Sequence, residues 1–141
     1  MKFEPQRREG AKIIEPSSRH NDVARSIVDA AYVVHTTLGA GLLESVYQQC
    51  VAMELKCRNL MVEQEVGLPI SYRGVRIAAS FRLDLLVEKL VVVEIKAVER
   101  LVPVHDAQLL TYLKLSGHRL GLLINFNVVC IRDGLRRFVK S

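Results

Sequence analysis

No two cysteines in this sequence are spaced as a CxxC pair, and the total of three (Cys50, Cys57 and Cys130) is odd. Both facts argue against a disulfide framework and against a zinc site. No charged-then-apolar leader opens the chain, and no apolar run is long enough to span a bilayer. The expected compartment is therefore a reducing cytoplasm, with no membrane partner. Internal repeats and low-complexity tracts are lacking too. So is any helix-turn-helix or zinc module that would read a base sequence. What remains is an ordinary globular composition: 141 residues, half of them hydrophobic and a quarter charged. That length predicts one domain, able to bury a core without staples. The formal charge of +5 and pI of 9.3 suit a polyanionic partner, but many unrelated proteins share such a balance.

The pattern along the chain divides early. Residues 1–20 are polar, carry Pro5 and Pro16, and show no apolar period; they read as a flexible tail, with residues 21–141 as a single domain. Val23, Ile27, Ala30, Ala31, Val34 and Leu38 recur at helical spacing, with Asn21 as N-cap and Gly39 as stop. A second helix is expected from about Gly41 to Arg58, burying Leu43, Val46, Tyr47, Cys50, Met53 and Cys57 on one face. Residues 61–72 and 75–87 are rich in β-branched residues and are split by Arg73-Gly74, a hairpin signal. The segment LVVVEI within residues 90–98 is almost continuously apolar, as a strand covered on both faces must be. A third helix over 104–116, a strand over 120–125 and a last strand or hairpin over 128–139 complete the order α-α-β-β-β-α-β-β. The expected fold class is α/β (α+β): a mixed central sheet flanked by helices.

Three residues within this frame carry chemistry. Glu94 and Lys96 are two apart on a strand and point to one face, set among Val91, Val92, Val93, Ile95 and Ala97. Charge in such a strand is costly unless paired. A cross-strand ion pair is the commoner explanation of an isolated ExK triplet. Asp84, in FRLDLLVE, is a second acid inside an apolar strand. If it converges on Glu94, the two carboxylates repel unless a cation sits between them. Mg²⁺ (or Mn²⁺) suits such hard oxygen donors. Convergence sets a geometric condition. A two-residue turn at Glu88-Lys89 would pair Asp84 with Val93 and send the acids to opposite faces. The site therefore predicts an odd loop or a β-bulge.

Two helical pairs add to the set. Glu44 and Tyr47 share a face near the start of the second helix, as do Gln108 and Tyr112 on the third. Core packing is the competing reading for each tyrosine, and a first-turn acid favoured by the helix dipole is the competing reading for Glu44. His35 and His105 are expected to be structural. Arg73, Arg76, Arg82, Arg100 and Lys114 are candidate phosphate contacts.

Taken together, GLLESVY (Gly41, Glu44, Tyr47), FRLDLLVE, VVVEIKAVERLVPVHDAQLLTYLKLSG and LGLLINFN resemble the GxxExxY protein family of the PD-(D/E)XK nuclease-like superfamily. The resemblance runs from about Ile27 to the C-terminus. Ala40 departs from it, standing where the family often has proline. It implies a restriction-endonuclease-like core, with the D…ExK pattern on Asp84, Glu94 and Lys96 and the QxxxY pattern on Gln108 and Tyr112. It further implies that Glu44 assists Asp84 and Glu94 in metal binding, and that Tyr47, Gln108 and Tyr112 support the site. The implied activity is metal-dependent hydrolysis of nucleic acid, DNA ahead of RNA, with a homodimer or a partner protein as a further expectation. A catalytically silent binding module on the same fold, or a hydrolase of a small phosphate or nucleotide, are the competing functions.

Overall fold

The computed structural model describes residues 16–140, without the side chains of residues 78–80. Most of the expected N-terminal tail, residues 1–15, lies outside the described residues. Helix α1 (Ser18–Leu38) begins four residues earlier than an Asn21 cap would set it, because Ser17 caps it instead. The Ser17 hydroxyl accepts from the His20 N–H (3.3 Å), and the Ser17 N–H donates back to His20 Nδ1 (3.2 Å), a reciprocal arrangement in which histidine takes the place of the usual glutamate. Asn21 instead accepts from the Arg137 guanidinium at 2.7 Å. Gly39 ends the helix at φ 72°, donating to the His35 carbonyl at 2.7 Å.

Helix α2 (Glu44–Cys57) buries Tyr47, Gln48, Val51, Ala52 and Leu55. That face is rotated from the expected stripe: Leu43 and Met53 are exposed, as is Cys57, while Cys50 is half-buried. Strand β1 (Val62–Tyr72) and strand β2 (Val75–Val87) form a long antiparallel hairpin through Arg73-Gly74. Both turn residues have left-handed φ, 51° and 78°, the sign a two-residue hairpin turn requires. Strand β3 (Val91–Lys96) is buried through Ile95. Helix α3 (Pro103–Ser116) then crosses over to strand β4 (Leu120–Asn125), parallel to β3 and buried at every residue. A 3₁₀ turn (Ile131–Gly134) precedes strand β5 (Leu135–Val139), so the last segment is a turn and one strand rather than a hairpin.

Among the described residues five strands lie in sequence order, β1-β2-β3-β4-β5, and of these only β3 and β4 pair in parallel. Helices α1 and α2 cover one face over Leu85, Val93, Ile95, Leu122 and Ile124. Helix α3 covers the other over Leu83, Leu86, Val92 and Leu123. This is the expected mixed sheet between helical layers, and burial on both faces explains the unbroken apolar runs of β3 and β4. Helix α3 packs closely because position 121 is glycine: a Cβ there would lie 2.9 Å from Leu109 Cδ1.

Candidate active site

Strands β2 and β3 pair Val87 with Val91, Leu86 with Val92 and Leu85 with Val93. The connecting loop therefore holds three residues, Glu88, Lys89 and Leu90, which is the odd loop that convergence demands. Glu88 and Lys89 both adopt left-handed φ (54° and 55°), and the Leu90 N–H closes the turn onto the Val87 carbonyl at 2.9 Å. Glu88 is held from outside: its carboxylate accepts from the Met61 N–H (2.6 Å) and from the Arg19 guanidinium, and its own N–H donates to the Met61 carbonyl (2.8 Å).

A second irregularity lies at Asp84. Leu83 and Leu85 are two apart yet face opposite helical layers, so the pleat reverses between them. Across the ladder, Gln64 pairs with Leu85 and Val66 with Leu83. Glu65, between them, has φ 54°, an uncommon conformation for a non-glycine residue. Loop and reversal together turn the Asp84 carboxyl group toward β3. Its Oδ2 accepts from the Ile95 N–H (2.8 Å), while Glu94 Oε1 accepts from the Asp84 N–H (3.2 Å). Each acid thus interrupts the ladder by standing in for a backbone carbonyl.

Burial makes the pair electrostatically costly. Glu94 is 4% exposed; desolvation, then repulsion from Asp84, push its pKa up to about 8. Asp84 is pushed up to about 6, first by desolvation and further by the charges of Glu44 and Glu65, against the Ile95 hydrogen bond and Lys96. Glu44, the half-buried first residue of α2, is therefore close enough to bear on Asp84. Lys96 ends β3 half-buried, and its ammonium favours ionisation of both acids. Tyr112, nearly buried on α3, packs against Phe81 with ring centroids 5.6 Å apart. Its pKa is raised by burial, then by the charges of Glu94 and Asp84. Gln108 is half-buried one turn earlier on α3.

Tyr47 is not brought to this cluster. It is fully buried, stacks on Phe126 (centroids 4.6 Å apart, 12° between planes) and donates its hydroxyl proton to the Gly39 carbonyl (2.6 Å) while accepting from the Leu42 N–H (3.1 Å). It therefore staples the turn that leads into α2. The histidines are also structural: His35 Nε2 meets the Val128 carbonyl (2.8 Å), and His105 Nδ1 accepts from the Val102 N–H (3.0 Å) at the start of α3.

Two further residues, Gln48 and Asn125, organise the site. Gln48, buried one turn after Glu44, donates to Glu65 Oε1 (3.0 Å) and to the Asp84 carbonyl (3.3 Å); its i+4 spacing from Glu44 was the available clue. Asn125 brackets the backbone just beyond the ExK triplet, accepting from the Val98 N–H (3.0 Å) and donating to the Val98 carbonyl (2.9 Å). A polar residue closing the otherwise apolar run LGLLIN was its signal. Asp106, buried in the first turn of α3, receives both of its 2.8 Å contacts from Arg136 Nη1 on β5, and no local pattern announces a pair thirty residues apart.

Two repelling, backbone-oriented carboxylates form a donor set that fits a hard divalent cation, which relieves their repulsion. Among the described residues, no group of three or more His, Cys, Asp or Glu side chains is gathered to hold an ion by itself. That is compatible with Mg²⁺, which binds through one or two carboxylates and completes its shell with water and phosphate oxygens. Residues 21–138 match the family model described as the PD-(D/E)XK nuclease superfamily. No curated protein and no solved structure matches the chain significantly.

Proposed function

The chain belongs to the PD-(D/E)XK nuclease superfamily, and from that premise we propose that it is a divalent-metal-dependent nuclease hydrolysing phosphodiester bonds. Its GxxExxY branch is the proposed subfamily, on Gly41, Glu44 and Tyr47, and residues 21–141 are read as one nuclease-like domain. The observation that carries the proposal is the convergence of Asp84 and Glu94 beside Lys96 across a three-residue loop.

Asp84 and Glu94 would hold Mg²⁺ (or Mn²⁺), with Glu44 assisting from α2, and the ion would supply Lewis-acid stabilisation of charge on the phosphate. Lys96 orients the attacking water and offsets negative charge as it develops on the phosphate. Tyr112, its proton retained by burial and by the neighbouring acids, donates a hydrogen bond toward the same space. Gln48 and Asn125 are positioning residues, fixing the backbone at Asp84 and just beyond Lys96. DNA is the proposed first substrate, RNA the second. Unpaired Cys50, Cys57 and Cys130 fit a reducing cytoplasm.

The test is cleavage of single- and double-stranded DNA and RNA with Mg²⁺ or Mn²⁺, by wild type beside Asp84→Asn and Lys96→Ala. Cleavage by the wild type that needs metal and falls at least about 100-fold in both variants is the expected result. Equal activity in all three proteins, or none in any, would overturn the proposal; metal binding without cleavage by the wild type would leave a binding module on a nuclease fold.

A further inference from the structure

Strand β2 pairs with β3 only from Leu85 to Val87, whereas it pairs with β1 from Val75 onward. The hairpin beyond Asp84 is therefore a two-stranded arm, and among the described residues no strand pairs with the edge of β2 that faces away from β1 before the site. The register sets Ile70 and Tyr72 of β1 opposite Ile77 and Val75 of β2 at the tip, and Leu68 opposite Phe81 nearer the site, with a register shift between the two groups. The Leu68–Phe81 pair continues the layer of Leu83 and α3, since Phe81 packs on Tyr112. Apolar side chains are left bare along the arm: Tyr72 is 67% exposed, Val75 61% and Phe81 43%.

Charge on the arm has one sign. Residues 66–83 contain three arginines and neither aspartate nor glutamate. Arg76 alternates with Val75 and Ile77, and Arg82 follows Phe81, so each points away from its own apolar neighbours, and Arg73 occupies the tip. All three are exposed. Apolar or aromatic side chains and guanidinium groups thus alternate along the open edge of β2, which ends at Asp84.

We propose that the β1–β2 arm is the docking surface for an unpaired nucleic-acid strand. Its bases lie against Val75 and Phe81, with Tyr72 at the tip, and its phosphates are met by Arg73, Arg76 and Arg82. A duplex presents phosphate and sugar outward and keeps its base faces stacked inside, so it has nothing to set against the apolar side chains. An unpaired strand offers both chemistries at once, base faces to aromatic side chains and phosphates to arginine. Continuity through Phe81 and Tyr112 directs the strand to Asp84 and Glu94; this part rests on the nuclease reading, whereas binding to the arm does not.

The experiment is fluorescence anisotropy with labelled 15-nucleotide single strands of DNA and RNA and the corresponding duplexes. It is run in EDTA so that nothing is cut, over a salt series. Single strands are expected to bind at least about fivefold more tightly than duplexes, and Tyr72→Ser to weaken single-strand binding by about 5–10-fold. Arg73→Ala with Arg76→Ala is expected to lower the salt slope by about one to two. These residues lie at the exposed tip, and an unchanged melting temperature shows that the fold persists; Phe81→Ala is the second aromatic test. Equal binding of duplex and single strand, or wild-type affinity in all the arm variants, would overturn the proposal. So would a concentration-dependent dimer that the tip variants abolish, since a second copy would then occupy the arm. Loss of arm binding with metal-dependent cleavage retained would sink this inference alone. Arm binding without any cleavage would sink the nuclease reading alone.

Discussion

Asp84 and Glu94 hold each other's strand: the Asp84 N–H donates to the Glu94 carboxylate, and the Asp84 carboxylate accepts from the N–H of Ile95, the residue after Glu94. The ladder of β2 and β3 is not simply ended at this point. Its last rungs are made by the two side chains that the candidate chemistry needs, which orients them before any ligand arrives.

The raised acids make stability depend on pH with a definite sign. Both carboxyl groups hold their protons more tightly in the folded chain than the ordinary values near 4. The folded state therefore binds more protons, and the metal-free protein loses stability as pH rises through about 6 for Asp84 and about 8 for Glu94. Calorimetry in EDTA is expected to show a lower melting temperature at pH 8.5 than at pH 5, with Mg²⁺ restoring part of the difference only at the higher pH. Asp84→Asn is expected to flatten the profile. A metal-free melting temperature that rises across the same range would contradict this.

The two tyrosines of the family-like motifs should separate by readout. Tyr47→Phe leaves the Leu42 N–H and the Gly39 carbonyl without their partner, costing about 1–3 kcal/mol in urea unfolding, with metal affinity unchanged. Tyr112→Phe is expected to change stability little and to reduce cleavage about tenfold or more. The opposite allocation would place Tyr47, not Tyr112, at the chemistry.

Gly134 is packed against the strand that supports Lys96. A Cβ at this position would stand 2.1 Å from the Asn125 carbonyl oxygen, backbone that cannot rotate away. Gly134→Ala is expected to destabilise by about 1–3 kcal/mol. It should also disturb the Asn125–Val98 bracket, visible as faster amide exchange at Val98. An unchanged unfolding midpoint would show that the turn shifts freely.

The odd loop can be probed at its two left-handed residues. Lys89 is exposed and has no side-chain role among the described residues, so Lys89→Gly is expected to relieve backbone strain and to be neutral or stabilising by up to about 1 kcal/mol. At Glu88 the same relief is outweighed by loss of the bonds to Met61 and Arg19, and Glu88→Gly should destabilise. Chemical denaturation of the pair checks the difference; equal effects would mean that the carboxylate does not anchor the loop.

Much of the architecture was present as local pattern. Strand β4 was legible residue for residue, because a doubly covered strand must be apolar throughout, and Gly39 and Gly117 marked helix ends through the conformations they alone adopt without strain. Where the sequence offered competing local signals, packing chose. Ser17 took the cap from Asn21, whose side chain was drawn to Arg137 on β5. Helix α2 turned Gln48 inward and Met53 outward, since Gln48 finds two acceptors at the site whereas the hydropathy of an isolated helix favours methionine inside.

The amino-acid sequence by itself determined which residues could do the chemistry: acids placed in apolar strands are conspicuous because burying charge is costly. It also set the condition for their meeting, because strand side chains alternate and an even loop would separate them. Tertiary structure decided the rest. Whether the loop held two residues or three, and whether the pleat reversed at Asp84, depended on Met61, Arg19 and Glu65, which reach those positions only after β1 and α1 have packed. Long-range partners of this kind leave no local periodicity, so the Asp106–Arg136 pair, and the contacts that Gln48 and Asn125 make, appeared only once the sheet was closed.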